Sequence, residues 1–417
     1  MTSKFFWKLS VKVAGLVICC LLVSVVEVSK SSRFGVQMAA QLPILGDGGA
    51  HDHPQTVPDG TPPFGAAGSH LEQAVVADPK QAPPSLAHGR ARPPPKFPRL
   101  CILIGAMKGG TEAFSNYLEE HPHVVPSFQY ETHYFNNFPA EWESSGDPES
   151  GRGARIKYVR VARKRYRELF PAWDGGAETV QFEKTPAYLF HAHVVARRIR
   201  EVVPWAQLVV LLRDPVERAY SHYKMVYANS PFHQKREVPF QEMIKLDLQQ
   251  LRGSGLLDYV AEMAPLWEDP ATDPRDPSYD ALERRWEDYL RAHPHPKLAL
   301  VGRGLYFVQL RYFCVAFRKE GRPMEEVLLP LRSEDMEPAD DGTVPLLGAM
   351  TDFLSLPPLR RGEEGAQRYH GQDRVAAPAM TAEMRRELRE LYAPCNGLLG
   401  VLFGGAWASP WDYSDAA

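Results

Sequence analysis

The feature that most constrains this chain is a short apolar run, Arg99-Leu-Cys-Ile-Leu-Ile104, passing straight into Gly105-Ala-Met-Lys-Gly-Gly-Thr111. A brief, mostly apolar run closed by glycine is the pattern of a strand buried on both faces. Thr111–Glu120 (TEAFSNYLEE) reads as a helix ending before His121-Pro122. Three further runs extend the scheme. Val180–Glu183 is a strand closed by Lys184-Thr-Pro186. Leu208–Leu212 is a strand ending at Arg213-Asp-Pro215, before a helix that carries Glu217, Arg218, Tyr220 and Tyr223. Glu326–Leu331 reads as a late strand despite Pro330. Strands alternating with helices predict an α/β domain with a mainly parallel sheet flanked by helices. Pro265–Pro277 is expected to be an acidic surface loop, and Thr381–Tyr392 a charged amphipathic helix.

The turn at Gly105–Thr111 has the composition of an anion cradle. Its glycines let backbone amides approach an anion closely, and the helix start adds unpaired N–H groups and a positive dipole end. Lys108 supplies a full charge, Gly109 and Gly110 supply amides, and Thr111 supplies a hydroxyl. The expected fold is therefore P-loop-like. The loop is not the nucleoside-triphosphate form, which places Lys and Ser/Thr together after the last glycine. Here Lys108 precedes Gly109 and Gly110, and Glu112 follows Thr111, which is awkward for a triphosphate with magnesium. Taken alone, the segment fits an ordinary glycine-rich turn equally well.

Outside this region the chain changes character. Lys4, Lys8 and Lys12 precede the uncharged stretch Val13–Val26. Basic residues before an apolar run predict a cytoplasmic N-terminus (1–12) and a signal anchor (13–29). A cleaved signal peptide is the competing reading, but Glu-Val-Ser-Lys after Val26 offers no small-x-small cleavage site. Residues 30–97 read as a disordered Pro/Gly-rich stem that cannot bury enough apolar surface to order itself. His51 and His53 within it are read as solvated. Residues 98–417 are then the folded domain.

Bulk properties exclude some classes. A net charge of −3 argues against a nucleic-acid partner. Of the five cysteines, Cys19 and Cys20 lie in the apolar run, so Cys101, Cys314 and Cys395 allow at most one disulfide in the folded part. The chain has no CxxC pair for zinc or redox chemistry. The pairs His121/His123, His191/His193 and His293/His295 have no third ligand cluster nearby in sequence, and no metal is expected.

Four blocks together carry a family resemblance. Ile104-Gly-Ala-Met-Lys-Gly-Gly-Thr111 resembles the 5′-phosphosulfate loop of Golgi carbohydrate sulfotransferases, which use PAPS (3′-phosphoadenosine 5′-phosphosulfate). The likeness is to heparan sulfate sulfotransferases and their relatives. Leu211-Leu-Arg-Asp-Pro-Val-Glu-Arg-Ala-Tyr-Ser-His-Tyr223 resembles the 3′-phosphate motif, which assigns Arg213 and Ser221 to that phosphate. Phe182-Glu-Lys-Thr-Pro-Ala-Tyr188 and Tyr130-Glu-Thr-His-Tyr-Phe135 are similar to two further blocks. Weaker similarity runs through Arg303-Gly-Leu-Tyr306, Leu331-Arg-Ser-Glu-Asp335 and Tyr392-Ala-Pro-Cys-Asn396.

The resemblance implies sulfuryl transfer from PAPS, released as PAP, to a hydroxyl or amine of a glycan by in-line displacement. It implies a single-pass type II protein of the Golgi or another secretory-pathway membrane. Lys108 is assigned to the leaving phosphate and the sulfonate oxygens, with Lys184 assisting from the other side. Glu131 is the candidate general base, and His133 is an alternative base or an orienting residue. Arg374, in Arg368-Tyr-His-Gly-Gln-Asp-Arg374, stands where relatives carry a basic cofactor loop. One departure matters: Tyr130 occupies the position before Glu131 where the family often has Lys, so acceptor-side electrostatics stay open. Glu183 beside Lys184 also reads as a simple local ion pair. A lipid or small-alcohol acceptor, and a non-catalytic PAP-binding protein, are the alternative readings.

Overall fold

The computed structural model describes residues 97–411 apart from 138–150, 174, 177, 270–271, 274, 277–279, 294, 319–321, 337–343 and 359–375. The expected cytoplasmic segment, anchor and nearly all of the stem lie outside the described residues, as do His51, His53 and Arg374. Among the described residues no helix is long and apolar enough to cross a membrane.

Five parallel strands form one sheet in the order β2-β3-β1-β4-β5. They are β1 (Arg99–Gly105), β2 (Val124–Pro126), β3 (Val180–Lys184), β4 (Gln207–Leu212) and β5 (Leu328–Arg332). Strand alternation sorts β1 into two layers. Leu100, Ile102 and Ile104 enter one core with α2 (Gly151–Arg167), α3 (Ala192–Val202) and α4 (Pro215–Ala228). Cys101 and Leu103 enter the other, under α1 (Thr111–Glu119) and α9 (Pro345–Phe353). Burial on both faces explains why β1 and β4 read as unbroken apolar runs. Between α4 and β5 the chain adds α5 (Lys245–Gly253), α6 (Leu256–Trp267), α7 (Asp280–Ala292) and α8 (Tyr306–Arg318). The long helix α10 (Ala382–Gly397) follows α9 and packs back on α6 and α8.

Several boundaries differ from the sequence expectation, each for a physical reason. The late strand begins at Leu328 because Pro323 starts a helical turn, Met324–Val327. Pro330 is tolerated because β5 is an edge strand, pairing with β4 alone. The loop expected from Pro265 starts later, since α6 carries Pro265 inside it and ends at Trp267, which is fully buried. Thr381 caps α10 by accepting from the Met384 amide at 3.1 Å, and the helix runs past Tyr392 to Gly397. Cys101, Cys314 and Cys395 are buried free thiols. The short edge strand β2 has too few residues to show a period and was not foreseen.

Candidate active site

Register places the functional segments side by side. Leu103 of β1 pairs with Lys184 of β3, and Gly105 pairs with Val210 of β4. Neighbouring strands lie about 4.8 Å apart. Lys184, the Gly105–Thr111 loop and Arg213 therefore occupy three adjoining carboxyl ends of strands, where open α/β sheets bind their ligands.

The loop is held by backbone bonds. Ala106 N–H donates to the Leu211 carbonyl at 2.8 Å, and Gly109 N–H to the Ala106 carbonyl at 2.9 Å. Ser333 Oγ donates to the Gly109 carbonyl at 2.8 Å, tying the loop to the end of β5. A Cβ on Gly109 would stand 2.6 Å from the Leu211 carbonyl oxygen, so only glycine lets the loop lie this close to β4. Lys108 and Gly110 adopt left-handed backbone, with φ of 69° and 83°. Gly110 caps α1 without any side-chain acceptor, so the first-turn amides have no side-chain cap. The donor set and the close backbone fit a phosphate group.

Next to the loop stands a group built on Lys184. Its ammonium lies 3.3 Å from the centroid of the Tyr130 ring and 4.0 Å from Glu131 Oε1. Burial pulls the Lys184 pKa down, while Glu131, Glu112 and Glu119 push it back up. The other oxygen of Glu131 is 3.3 Å from His133 Nε2. That hydrogen bond to Glu131 is the main reason the His133 pKa is raised, with burial opposing it. His133 Nδ1 is 3.3 Å from Asn136 Oδ1. The structure thus brings Lys184, Glu131 and His133 into one contact group beside the loop of Lys108.

What holds the Glu131 segment was not foreseen. Glu183 is 1% exposed and points away from Lys184, because successive strand residues face opposite layers. The expected ion pair between these two neighbours does not form. Glu183 accepts instead from four hydroxyls: Thr132, Tyr166 at 2.8 Å, Thr185 at 3.3 Å and Tyr188 at 3.3 Å. Burial raises its pKa to about 6, against the pull of those hydroxyls. Thr185 Oγ1 in turn accepts from the Thr132 and His133 amides at 3.1 and 3.3 Å. Tyr188 Oη accepts from the Phe135 amide at 3.2 Å. The one sequence signal was a carboxylate inside an otherwise buried strand.

The segment that resembles the 3′-phosphate motif begins where β4 ends. Asp214 is a helix cap, accepting from Val216 N–H at 2.7 Å and Glu217 N–H at 3.4 Å. Tyr306 Oη donates to the Arg213 carbonyl at 2.9 Å. Arg213 and Ser221 are both half-buried, at the head and in the second turn of α4. The inner side of α4 adds a cationic cluster that the sequence reading missed. Arg218, His222 and Arg303 are buried there, with Arg218 donating to the Leu300 carbonyl. Arg303 lies 4.0 Å over the Phe190 ring. Burial, helped by Arg218, Arg303 and Lys108, holds the His222 pKa well below its ordinary value.

Residues 101–253 match the sequence model of the sulfotransferase family. Heparan sulfate glucosamine 3-O-sulfotransferase 3B1 of Homo sapiens is 30% identical over 246 residues, covering 53% of this chain and 53% of that protein. Membrane-associated sulfotransferase kil1 of Dictyostelium discoideum is 23% identical over 303 residues, covering 63% of this chain and 57% of that protein. The chain spans about half the length of these curated relatives. A sulfotransferase structure from Alicyclobacillus acidocaldarius aligns with a TM-score of 0.45 and 22% identity, over 75% of this chain and 98% of that one. The family resemblance carried by the four motifs is borne out.

Proposed function

We propose that this chain, a relative of the carbohydrate sulfotransferases through residues 101–253, transfers the sulfuryl group of PAPS to a hydroxyl or amine of a glycan. The observation that carries the reading is the contact of Lys184 with Glu131 at the strand end adjoining the Lys108 loop. PAPS, when bound, supplies the sulfuryl group and a phosphate leaving group. Amides of Gly109, Gly110 and Thr111 hold its 5′-phosphate, and Arg213 and Ser221 hold its 3′-phosphate. Lys108 and Lys184 take up the negative charge that grows on the leaving side. Glu131 accepts the proton of the acceptor, and His133 orients it through their 3.3 Å contact. Positioning and electrostatics supply most of the rate, as in phosphoryl transfer.

The same reading makes residues 13–29 a type II anchor in a Golgi or other secretory-pathway membrane and residues 30–97 its stem. The name of the Dictyostelium relative, a membrane-associated sulfotransferase, supports the membrane assignment. The test is transfer of labelled sulfate from PAPS to a panel of glycans by the full chain. Lys108→Ala is expected to abolish transfer while the fold stays intact, since removing one positioned charge-stabilising group costs about 10²–10³ in turnover. Unchanged turnover would defeat the loop assignment.

A further inference from the structure

The wall that faces an acceptor in this site is acidic and aromatic. Lys184 is the cation in contact with Glu131 on this wall, among the described residues, yet its side chain is only 3% exposed and the Tyr130 ring covers its ammonium at 3.3 Å. Glu131, 4.0 Å away, already matches that charge. Two more carboxylates join it: Glu112 and Glu119 both act electrostatically on Tyr130 and Lys184. They lie seven residues apart, two turns along one face of α1, and both are exposed. Three carboxylates thus surround one shielded lysine.

Aromatic surface completes the wall. Tyr130 is 58% exposed and Phe128 is 70% exposed, on the segment leading into Glu131. Large exposed rings beside a polar site offer flat apolar area at low entropic cost, and the C–H face of a sugar ring packs on such a surface. An acceptor with carboxylates or sulfates next to the reacting hydroxyl would bring like charge against Glu112, Glu119 and Glu131.

We propose that this site takes a saccharide with no acidic group around its accepting hydroxyl, packed against Tyr130 and Phe128, and that Tyr130 sets this choice. The proposal rests on the sulfuryl-transfer reading of the same site. Acceptor binding alone tests it. An uncharged oligosaccharide and its chemically sulfated form are titrated calorimetrically into the full chain, with and without PAP. The uncharged form is expected to bind at least about tenfold tighter, with the gap narrowing as salt rises. Tighter or equal binding of the sulfated form, or binding of neither, overturns the proposal.

Tyr130→Lys, at an exposed position, gives the second measurement. It is expected to move the preference about tenfold towards the sulfated form, in binding and in labelled-sulfate transfer. A preference that stays where it was removes Tyr130 from the role. A full chain that fails to bind PAP counts against the sulfuryl-transfer reading instead, and the titrations without PAP still decide the acceptor class.

Discussion

Glu183→Gln separates positioning from chemistry in this site. The carboxylate is 1% exposed and touches no reacting group; it accepts from Thr132, Tyr166, Thr185 and Tyr188. A glutamine keeps the shape but offers one accepting oxygen in place of two. Hydrogen bonds to a charged group are worth about 1.5–3 kcal/mol each, so losing two costs about 3–6 kcal/mol. Burial outweighs these bonds, since with them in place Glu183 is still raised from the ordinary 4.5 to about 6, a net penalty of about 2 kcal/mol on the ionised form. Removing that buried charge offsets part of the loss, and the variant is expected to be less stable by about 1–3 kcal/mol in denaturant unfolding, the cost of leaving a buried hydroxyl without its acceptor. The pH dependence has a definite sign. With its pKa raised on folding, Glu183 stabilises the fold fully below about 4.5 and loses that contribution as pH rises to about 6. The stability gap between wild type and variant therefore shrinks by about 2 kcal/mol across that window. Turnover falls because the segment from Glu131 to Phe135 loosens, while PAP affinity stays near wild type. A variant with wild-type stability and turnover, or a gap that widens with pH, would refute the positioning argument.

Other perturbations address single groups. Glu131→Gln should lower turnover about 10²–10⁴-fold with PAP binding by calorimetry little changed; normal turnover would move the base to His133. Gly109→Ala drives a methyl to 2.6 Å from the Leu211 carbonyl, and should cost about 1–3 kcal/mol in thermal unfolding together with PAP affinity. Wild-type stability there would mean the loop can lift off β4 without loss.

The parts of this protein legible in its sequence are those fixed locally. Residues 99–105 are apolar at nearly every position because β1 lies at the centre of the sheet, and that run announced both the strand and the glycine turn after it. Asp214-Pro215 announced a helix start, and the structure makes Asp214 the cap. Lys108, Glu131, His133 and Arg213 stood in recognisable blocks. What stayed hidden depends on pairing across long stretches of chain. The cluster of Arg218, His222 and Arg303 joins α4 to a turn some eighty residues later, and no local pattern reports such a meeting. The strand expected despite Pro330 does form, because its place at the sheet edge makes the missing N–H harmless.

Strand alternation explains how two adjacent residues serve different ends here. At Glu183 the side chain turns into the layer under α2, where hydroxyls of Tyr166, Tyr188 and Thr132 close around it. One residue later, Lys184 turns to the opposite layer and meets Tyr130 and Glu131. Thr132, bonded to Glu183, is the immediate neighbour of Glu131, which contacts Lys184. The segment from Tyr130 to His133 is thereby clamped from both faces of one strand end. Moving β3 by a single residue would exchange the two faces and set a carboxylate where the lysine stands. The relative placement of Glu131 and Lys184 is thus fixed by the register of β3 on β1, Leu103 against Lys184, more than by any contact within the site itself.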